Sequence, residues 1–232
     1  MLTPFLYLNA VAILNYQPPT SPYLDILYQD EDIVVLNKPS GLLSVPGRKI
    51  EHFDSLMSRV QTVWPNSCVV HRLDMMTSGV MVMSMHLEAT RHLNKQFAER
   101  TTGKYYIAVV AGHMPEDNGH IDYPLIVDWP NRPKQKVCYE TGKASMTYYE
   151  VLERSEINGQ AVTRVKLTPI TGRSHQLRVH LQQLGFPIIG DRLYAPDNIV
   201  KLVDRLHLHA EQLEIFHPRN EEMLTFYKKS DF

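Results

Sequence analysis

Apolar and polar positions along this chain fall in short blocks whose period changes often. Two apolar runs, residues 24–28 and 33–37, are flanked by acidic turns and predict strands. Lys38-Pro39-Ser40-Gly41 and Val45-Pro46-Gly47-Arg48 predict turns, and residues 55–63 predict a helix. Residues 68–70 lead into His71-Arg72-Leu73-Asp74, and Thr77-Ser78-Gly79 precedes an apolar strand over 80–85. Between 86 and 100, Leu87, Thr90, Leu93 and Phe97 recur at the spacing of one buried helical stripe, with Gly103 as its stop. A strand follows over 105–110, and residues 146–152 and 161–167 alternate as a strand pair. Ser174 is the predicted N-cap of a helix to about Leu184, stopped by Gly185 and Pro187. Residues 206–216 read as a late strand. This irregular interleaving, with many hairpin-like connections, predicts α+β with a mixed sheet, not a repeating βαβ fold.

The first residues, MLTPFLYLNAVAIL, are apolar but carry no basic residue ahead of the apolar run and no clear small-residue cleavage site. A secretory leader is therefore not expected. Gln17-Pro18-Pro19-Thr20-Ser21-Pro22 reads as a stiff connector. Residues 1–22 are expected to form an extension, disordered or a start-site artefact, with one ordered domain over 23–232. Composition adds exclusions. Hydrophobic residues make up 44% of the 232 and charged residues 21%, ordinary globular usage. No apolar run is long enough to span a membrane. Cys68 and Cys138 stand far apart, which suggests neither a zinc knuckle nor a disulfide scaffold. The 24 Lys+Arg nearly balance the 25 Asp+Glu, so any anion-binding surface must be local. A cytoplasmic protein is expected.

Asp74 lies between two strand-like segments, where a turn-capping role would account for it. The helix after Ser174 carries an apolar stripe, Leu177, Leu181 and Leu184, beside a polar one, His175, Arg178 and Gln182. Arg178 sits next to the core stripe and is expected at an edge, partly buried, where it calls for a carboxylate. Spacing alone does not say which. Asp128 to Lys143 gathers Arg132, Lys134, Lys136 and Lys143 with Trp129 and Tyr139, opposed only by Asp128 and Glu140. Such a run reads as a solvated loop or as a phosphate-and-stacking surface. His207, His209 and Glu211 alternate on one strand face, a weak hint of a metal site.

His71-Arg72-Leu73-Asp74 with Thr77-Ser78-Gly79 resembles the catalytic motif of the RluA family of RNA pseudouridine synthases. Lys104-Tyr105-Tyr106-Ile107-Ala108 is similar to the family's Lys-x-Tyr strand. The run from Gly172 through Arg173, His175 and Arg178 to His180 resembles its third motif. Pro187-Ile188-Ile189-Gly190-Asp191 and Leu208-His209-Ala210 match as well, in order and spacing. The basic stretch DWPNRPKQKVCY resembles the short members that act on both ribosomal RNA and tRNA. The resemblance runs from about Tyr23 to Phe232 and leaves no room for a separate N-terminal RNA-binding domain.

That resemblance implies one pseudouridine-synthase-like catalytic domain, with a largely antiparallel mixed sheet flanked by helices and loops and an RNA-binding cleft. It implies isomerisation of uridine to pseudouridine in structured RNA, without metal or organic cofactor; a monomer is the default expectation for a single domain with no heptad or apolar patch visible in its sequence. The substrates would be an anticodon-loop uridine of tRNA and a hairpin-loop uridine of large-subunit ribosomal RNA. Asp74 would be the nucleophile or base, Arg178 its partner and Tyr106 the residue that stacks on the target base. Arg72 would fill the space left by the flipped nucleotide. Arg132, Lys134, Lys136 and Arg173 would bind RNA. The competing readings are a non-catalytic RNA-binding module, a relative with a single different target, and a hydrolase using Asp191 as a second acid.

Overall fold

The computed structural model describes residues 16–232. Its strands are β1 (Ile26–Gln29), β2 (Ile33–Lys38), β3 (Cys68–Val69), β4 (Ser78–Ser84), β5 (Gly103–Ala111), β6 (Asn118–Ile121), β7 (Leu125–Val127), β8 (Gln135–Val137), β9 (Thr147–Ile157), β10 (Gln160–Pro169), β11 (Leu208–Phe216) and β12 (Met223–Tyr227). The helices are α1 (Leu56–Val63), α2 (Leu87–Glu99), α3 (Gln176–Gln183) and α4 (Asp197–Val200). A ten-stranded sheet runs β1-β2-β4-β11-β5-β10-β9-β6, with β3 on β4 and β12 on β11; β7 and β8 form a separate hairpin. Among the described residues only the β4–β11 pairing is parallel, so the sheet is mixed and largely antiparallel, as expected.

Alternation along the strands sorts the core onto two faces. On one face Val34, Leu36, Met81 and Met83 pack with Leu56 and Val60 of α1. Further along that face, Ala108, Val110, Val165 and Leu167 pack with Leu177 and Leu181 of α3. On the other, Ile33, Val35, Val80 and Val82 meet Leu93 of α2, and Val109, Ala111 and Val162 meet Ile199 of α4. Tyr106 packs against both clusters on the α1/α3 side and so marks the seam between them. Each large apolar side chain buried here contributes on the order of 1.5–3 kcal/mol.

Two short-range features fix the frame. Asn158 and Gly159 join β9 to β10 with φ of 50° and 76°, the left-handed pair a two-residue hairpin needs. Gly79 has φ of 120°, and a Cβ there would lie 2.2 Å from the Ala210 carbonyl. Only glycine therefore lets β4 pair alongside β11, immediately after the Asp74 segment.

Several expectations are corrected. Leu87 is exposed; the buried positions of α2 are Ala89, Leu93 and Gln96, and Gln96 is buried because its amide pairs with the Phe216 backbone. The helix ends at Arg100 in the left-handed conformation, and Gly103 instead opens β5, packed against Glu214. Ser174 does not cap α3. His175 occupies that position with φ of 55° and makes no capping bond, while the Gln176 side chain accepts from the Arg173 N–H at 3.0 Å. The chain is also tied to the domain before Tyr23. Leu43 N–H donates to Tyr16 Oη at 2.9 Å, and Arg59 Nη2 donates to the Pro19 carbonyl at 2.8 Å. The rest of the expected extension lies outside the described residues.

Candidate active site

Asp74 stands in the connection from β3 to β4, and residues 38–44 grip that connection on both sides of it. Ser40 Oγ donates to the Met76 carbonyl at 2.7 Å, and Gly41 N–H to the Met75 carbonyl at 2.9 Å. Ser44 Oγ donates to the Leu73 carbonyl at 2.7 Å and receives the Leu73 N–H at 3.2 Å. Lys38 is wholly buried and donates through Nζ to the carbonyls of Pro39, Leu42 and Met75 at 2.9, 2.8 and 3.0 Å. Burial pushes its pKa down to about 7, and the Asp74 charge opposes that shift. Three carbonyls match the three donors of an ammonium. Lys38→Met would strand all three. It is expected to cost about 2–4 kcal/mol in urea denaturation, because buried acceptors lose a charged donor. An unchanged unfolding midpoint would mean that the Asp74 loop holds its shape without this lysine.

Arg178 reaches Asp74, its expected partner, but is held more closely by a second carboxylate, Asp191. Its Nε and Nη2 donate to Asp191 at 2.8 and 2.7 Å, a bidentate pair, whereas its Nη1 donates to Asp74 Oδ2 at 3.3 Å. Nor is Arg178 at an edge: it is 4% exposed, because every residue from Gln176 to Leu181 is buried as α3 sinks into the sheet. Burial opposes its charge, but the hydrogen bonds and charge of Asp191, with Asp74 behind them, more than offset that and raise its pKa. Asp191 is 1% exposed and also accepts from the N–H groups of Leu193 and Tyr194. A carboxylate so enclosed is a clamp for Arg178, not a second acid facing a substrate. Asp74, with 29% of its side chain exposed, remains open to one.

Tyr106 lies on β5 opposite Ala210, where a bulge in β11 shifts the register between Ala210 and Gln212. Tyr105 points away, under Lys166, whose Nζ is 5.1 Å from its ring centre. Burial, aided by the Asp74 charge, raises the Tyr106 phenol above its ordinary value, so it is un-ionised at neutral pH. His71 from the same motif is turned inward. It stacks on Phe97 at 4.6 Å and accepts the Val82 N–H at 3.1 Å, and burial pushes its pKa down to about 3.

The structure brings the carboxylate and guanidinium within 3.3 Å and sets the tyrosine close enough to feel the Asp74 charge. Arg72 is exposed beside Asp74, with no hydrogen-bonding or ionic partner among the described residues. Arg132, Lys134 and Lys136 belong to the β7–β8 hairpin, whose strands the sequence pattern does not predict. The Arg132 guanidinium lies 4.3 Å from the Trp129 ring centre, and Trp129 and Tyr139 are 64% and 76% exposed. Lys136 lies 3.7 Å from Asp128. Arg173 is exposed and donates to the Ala144 carbonyl at 3.2 Å.

Two neighbours of Asp74 were missed. His175 Nε2 lies 3.9 Å from Asp74 Oδ1, and Tyr194 Oη lies 2.6 Å from His175 Nδ1. The polar stripe pointed to His175; nothing in the spacing pointed to Tyr194. The hinted metal set does not assemble. His207 stacks on Phe232, His209 bonds Ser78 and the Lys228 carbonyl, and Glu211 accepts from Ser230. Asp30, Asp32 and His217 do approach one another, but Asp32 is bonded to His86 and Arg219 as well.

Comparison with known proteins gives a consistent answer. The family profile described as RNA pseudouridylate synthase matches residues 32–183. The chain is 56% identical over 218 residues to the dual-specificity RNA pseudouridine synthase RluA of Escherichia coli, covering 94% of this chain and 98% of that one. It is 52% identical over 223 residues to the protein of the same name from Vibrio parahaemolyticus, covering 96% and 89%. Among solved structures, human RNA pseudouridylate synthase domain containing 1 superposes with a TM-score of 0.78 at 28% identity, covering 93% of this chain and 87% of that one.

Proposed function

The chain belongs to the RNA pseudouridylate synthase family, and from that premise we propose that it isomerises uridine to pseudouridine in structured RNA, in both large-subunit ribosomal RNA and tRNA. The observation that carries the reading is the Asp74 carboxylate, open to solvent on one side and held at 3.3 Å by a guanidinium that Asp191 keeps rigid. Isomerisation breaks the uracil N1–ribose bond, turns the base and rejoins it through C5, which then gives up its proton. Asp74 is the group that attacks or deprotonates the sugar. Arg178 holds that carboxylate in place once bound RNA excludes water from its open side.

The target uridine is stacked in RNA and must be turned out, at a cost of a few kcal/mol. Arg72 enters the space it leaves, and Tyr106 stacks on the freed base while its hydroxyl helps to take the C5 proton after reattachment. The hairpin with Arg132, Lys134 and Lys136, together with Arg173, receives the phosphates of a folded loop, and Trp129 and Tyr139 offer rings to its bases. An anticodon loop and a ribosomal hairpin loop both suit such a surface. The enzyme works as a monomer in the cytoplasm, without metal or organic cofactor.

The test is tritium release from tRNA and large-subunit ribosomal RNA transcripts carrying the label at uridine C5. Joining ribose to C5 expels the label. Release from one or two sites without free uracil is expected; free uracil would mean hydrolysis, and tight binding without release would mean a binding module. Tyr106→Phe is expected to slow release by about 100-fold, near 2.7 kcal/mol, while RNA affinity changes little. Loss of affinity alone would reduce Tyr106 to a stacking platform.

A further inference from the structure

Beyond the carboxylate and its guanidinium, two hydrogen bonds and one longer polar contact run from the basic hairpin to Asp74. The Gln135 N–H, on β8, donates to Tyr194 Oη at 2.8 Å. Tyr194 Oη is 2.6 Å from His175 Nδ1. His175 Nε2 is 3.9 Å from Asp74 Oδ1. Because Tyr194 Oη already accepts the amide, its own proton goes to the acceptor 2.6 Å away, His175 Nδ1. That places the imidazole proton on Nε2, the nitrogen that faces Asp74. The protonation states agree. Burial raises the Tyr194 phenol to about 12, which keeps its hydrogen, and burial lowers His175 against the pull of Asp74, which keeps the ring neutral.

The surroundings hold the arrangement. His175 sits at the start of α3 with φ of 55°, a conformation that few side chains adopt without compensation. The Tyr194 ring meets His175 edge-on at 5.6 Å and lies under the Arg178 guanidinium at 5.1 Å. The backbone N–H of Tyr194 is held by Asp191, so the same acid that clamps Arg178 also seats this tyrosine.

We propose that His175 and Tyr194 are positioning residues that join the docking hairpin to the reacting carboxylate: RNA seated on the hairpin moves the Gln135–Tyr194–His175 line and closes the His175 N–H onto Asp74. A distance of 3.9 Å is too long for a hydrogen bond, and contacts of this kind tighten when substrate docks. The inference rests on the isomerase reading above.

The test uses the full chain, a labelled anticodon stem-loop and three variants. Tyr194→Phe keeps the ring packing and removes the hydroxyl. His175→Asn tolerates the left-handed backbone but falls short of Asp74. His175→Gln places an amide nitrogen near the position of the imidazole Nε2. Under single turnover with saturating RNA, Tyr194→Phe is expected to lose about 10-fold in tritium release and His175→Asn about 100-fold. His175→Gln should recover most of the loss, and RNA affinity should stay within about threefold throughout. Amide hydrogen exchange at Gln135 should accelerate at least tenfold in Tyr194→Phe. Rates within twofold of the unaltered chain, a Gln135 amide still protected, or a loss explained by weaker RNA binding would each overturn the proposal. An unaltered chain that releases tritium beside unaffected variants overturns the relay alone; one that releases none overturns the isomerisation and the relay with it.

Discussion

Asp74→Asn is expected to abolish turnover while leaving RNA binding within about threefold of the unaltered chain. Asparagine keeps the shape of the side chain and can still accept the Arg178 Nη1 hydrogen at the place where Asp74 Oδ2 accepts it at 3.3 Å. What it lacks is a carboxylate to attack or to take a proton. A loss of at least 10⁴-fold corresponds to about 5.5 kcal/mol in the barrier. Single-turnover tritium release measures it against a filter-binding affinity for the same RNA. Retention above about 1% of the original rate, a loss of less than about 2.7 kcal/mol, would remove Asp74 from the chemistry. Little stability should be lost, because the side chain is partly open to solvent and its loop is held by Lys38, Ser40 and Ser44 through backbone groups.

Arg178→Met carries the largest expected loss of stability. Arg178 and Asp191 are both almost wholly buried and joined by two short hydrogen bonds. Removing the guanidinium leaves the Asp191 carboxylate enclosed without its counter-charge, at a cost of about 3–5 kcal/mol. Asp74 loses its neighbour too, so activity should fall by more than about 100-fold, or 2.7 kcal/mol. Adding Asp191→Leu to Arg178→Met removes the stranded charge and should restore a kcal/mol or more of stability without restoring activity. Recovery of both together would show that Arg178 acts only through folding. Arg178→Lys is not a conservative change here, since an ammonium cannot make the two-pronged contact with Asp191.

Much of this molecule was legible in the chain itself. Short apolar blocks gave nearly every central strand and the three longer helices, because a period of two or of three to four residues is a local property that survives whatever packs against it. The helix predicted to begin at Ser55 does so, and the Ser55 side chain caps α1 by accepting the Ser58 N–H. The motif resemblance pointed to the same three site residues that the fold brings together.

Other features needed the tertiary structure. Asp74 and Arg178 are 104 positions apart, and Arg178 and Asp191 only 13, yet neither separation ranks the two carboxylates as partners. Periodicity says which way a side chain points, not what another element has placed opposite it. For the same reason Leu87 fitted a helical stripe that no partner covers, and Ser174 looked like a cap while the tightly packed His175 took that position. The parallel contact of β4 with β11, the bulge beside Tyr106 and the meeting of Tyr194 with Gln135 all join segments far apart in sequence. Local sequence thus determined most of the elements and much of their buried faces. The partner of the central arginine and the surroundings of Asp74 were decided only when those faces closed on one another, because charge pairing depends on distances in space that no spacing along the chain encodes.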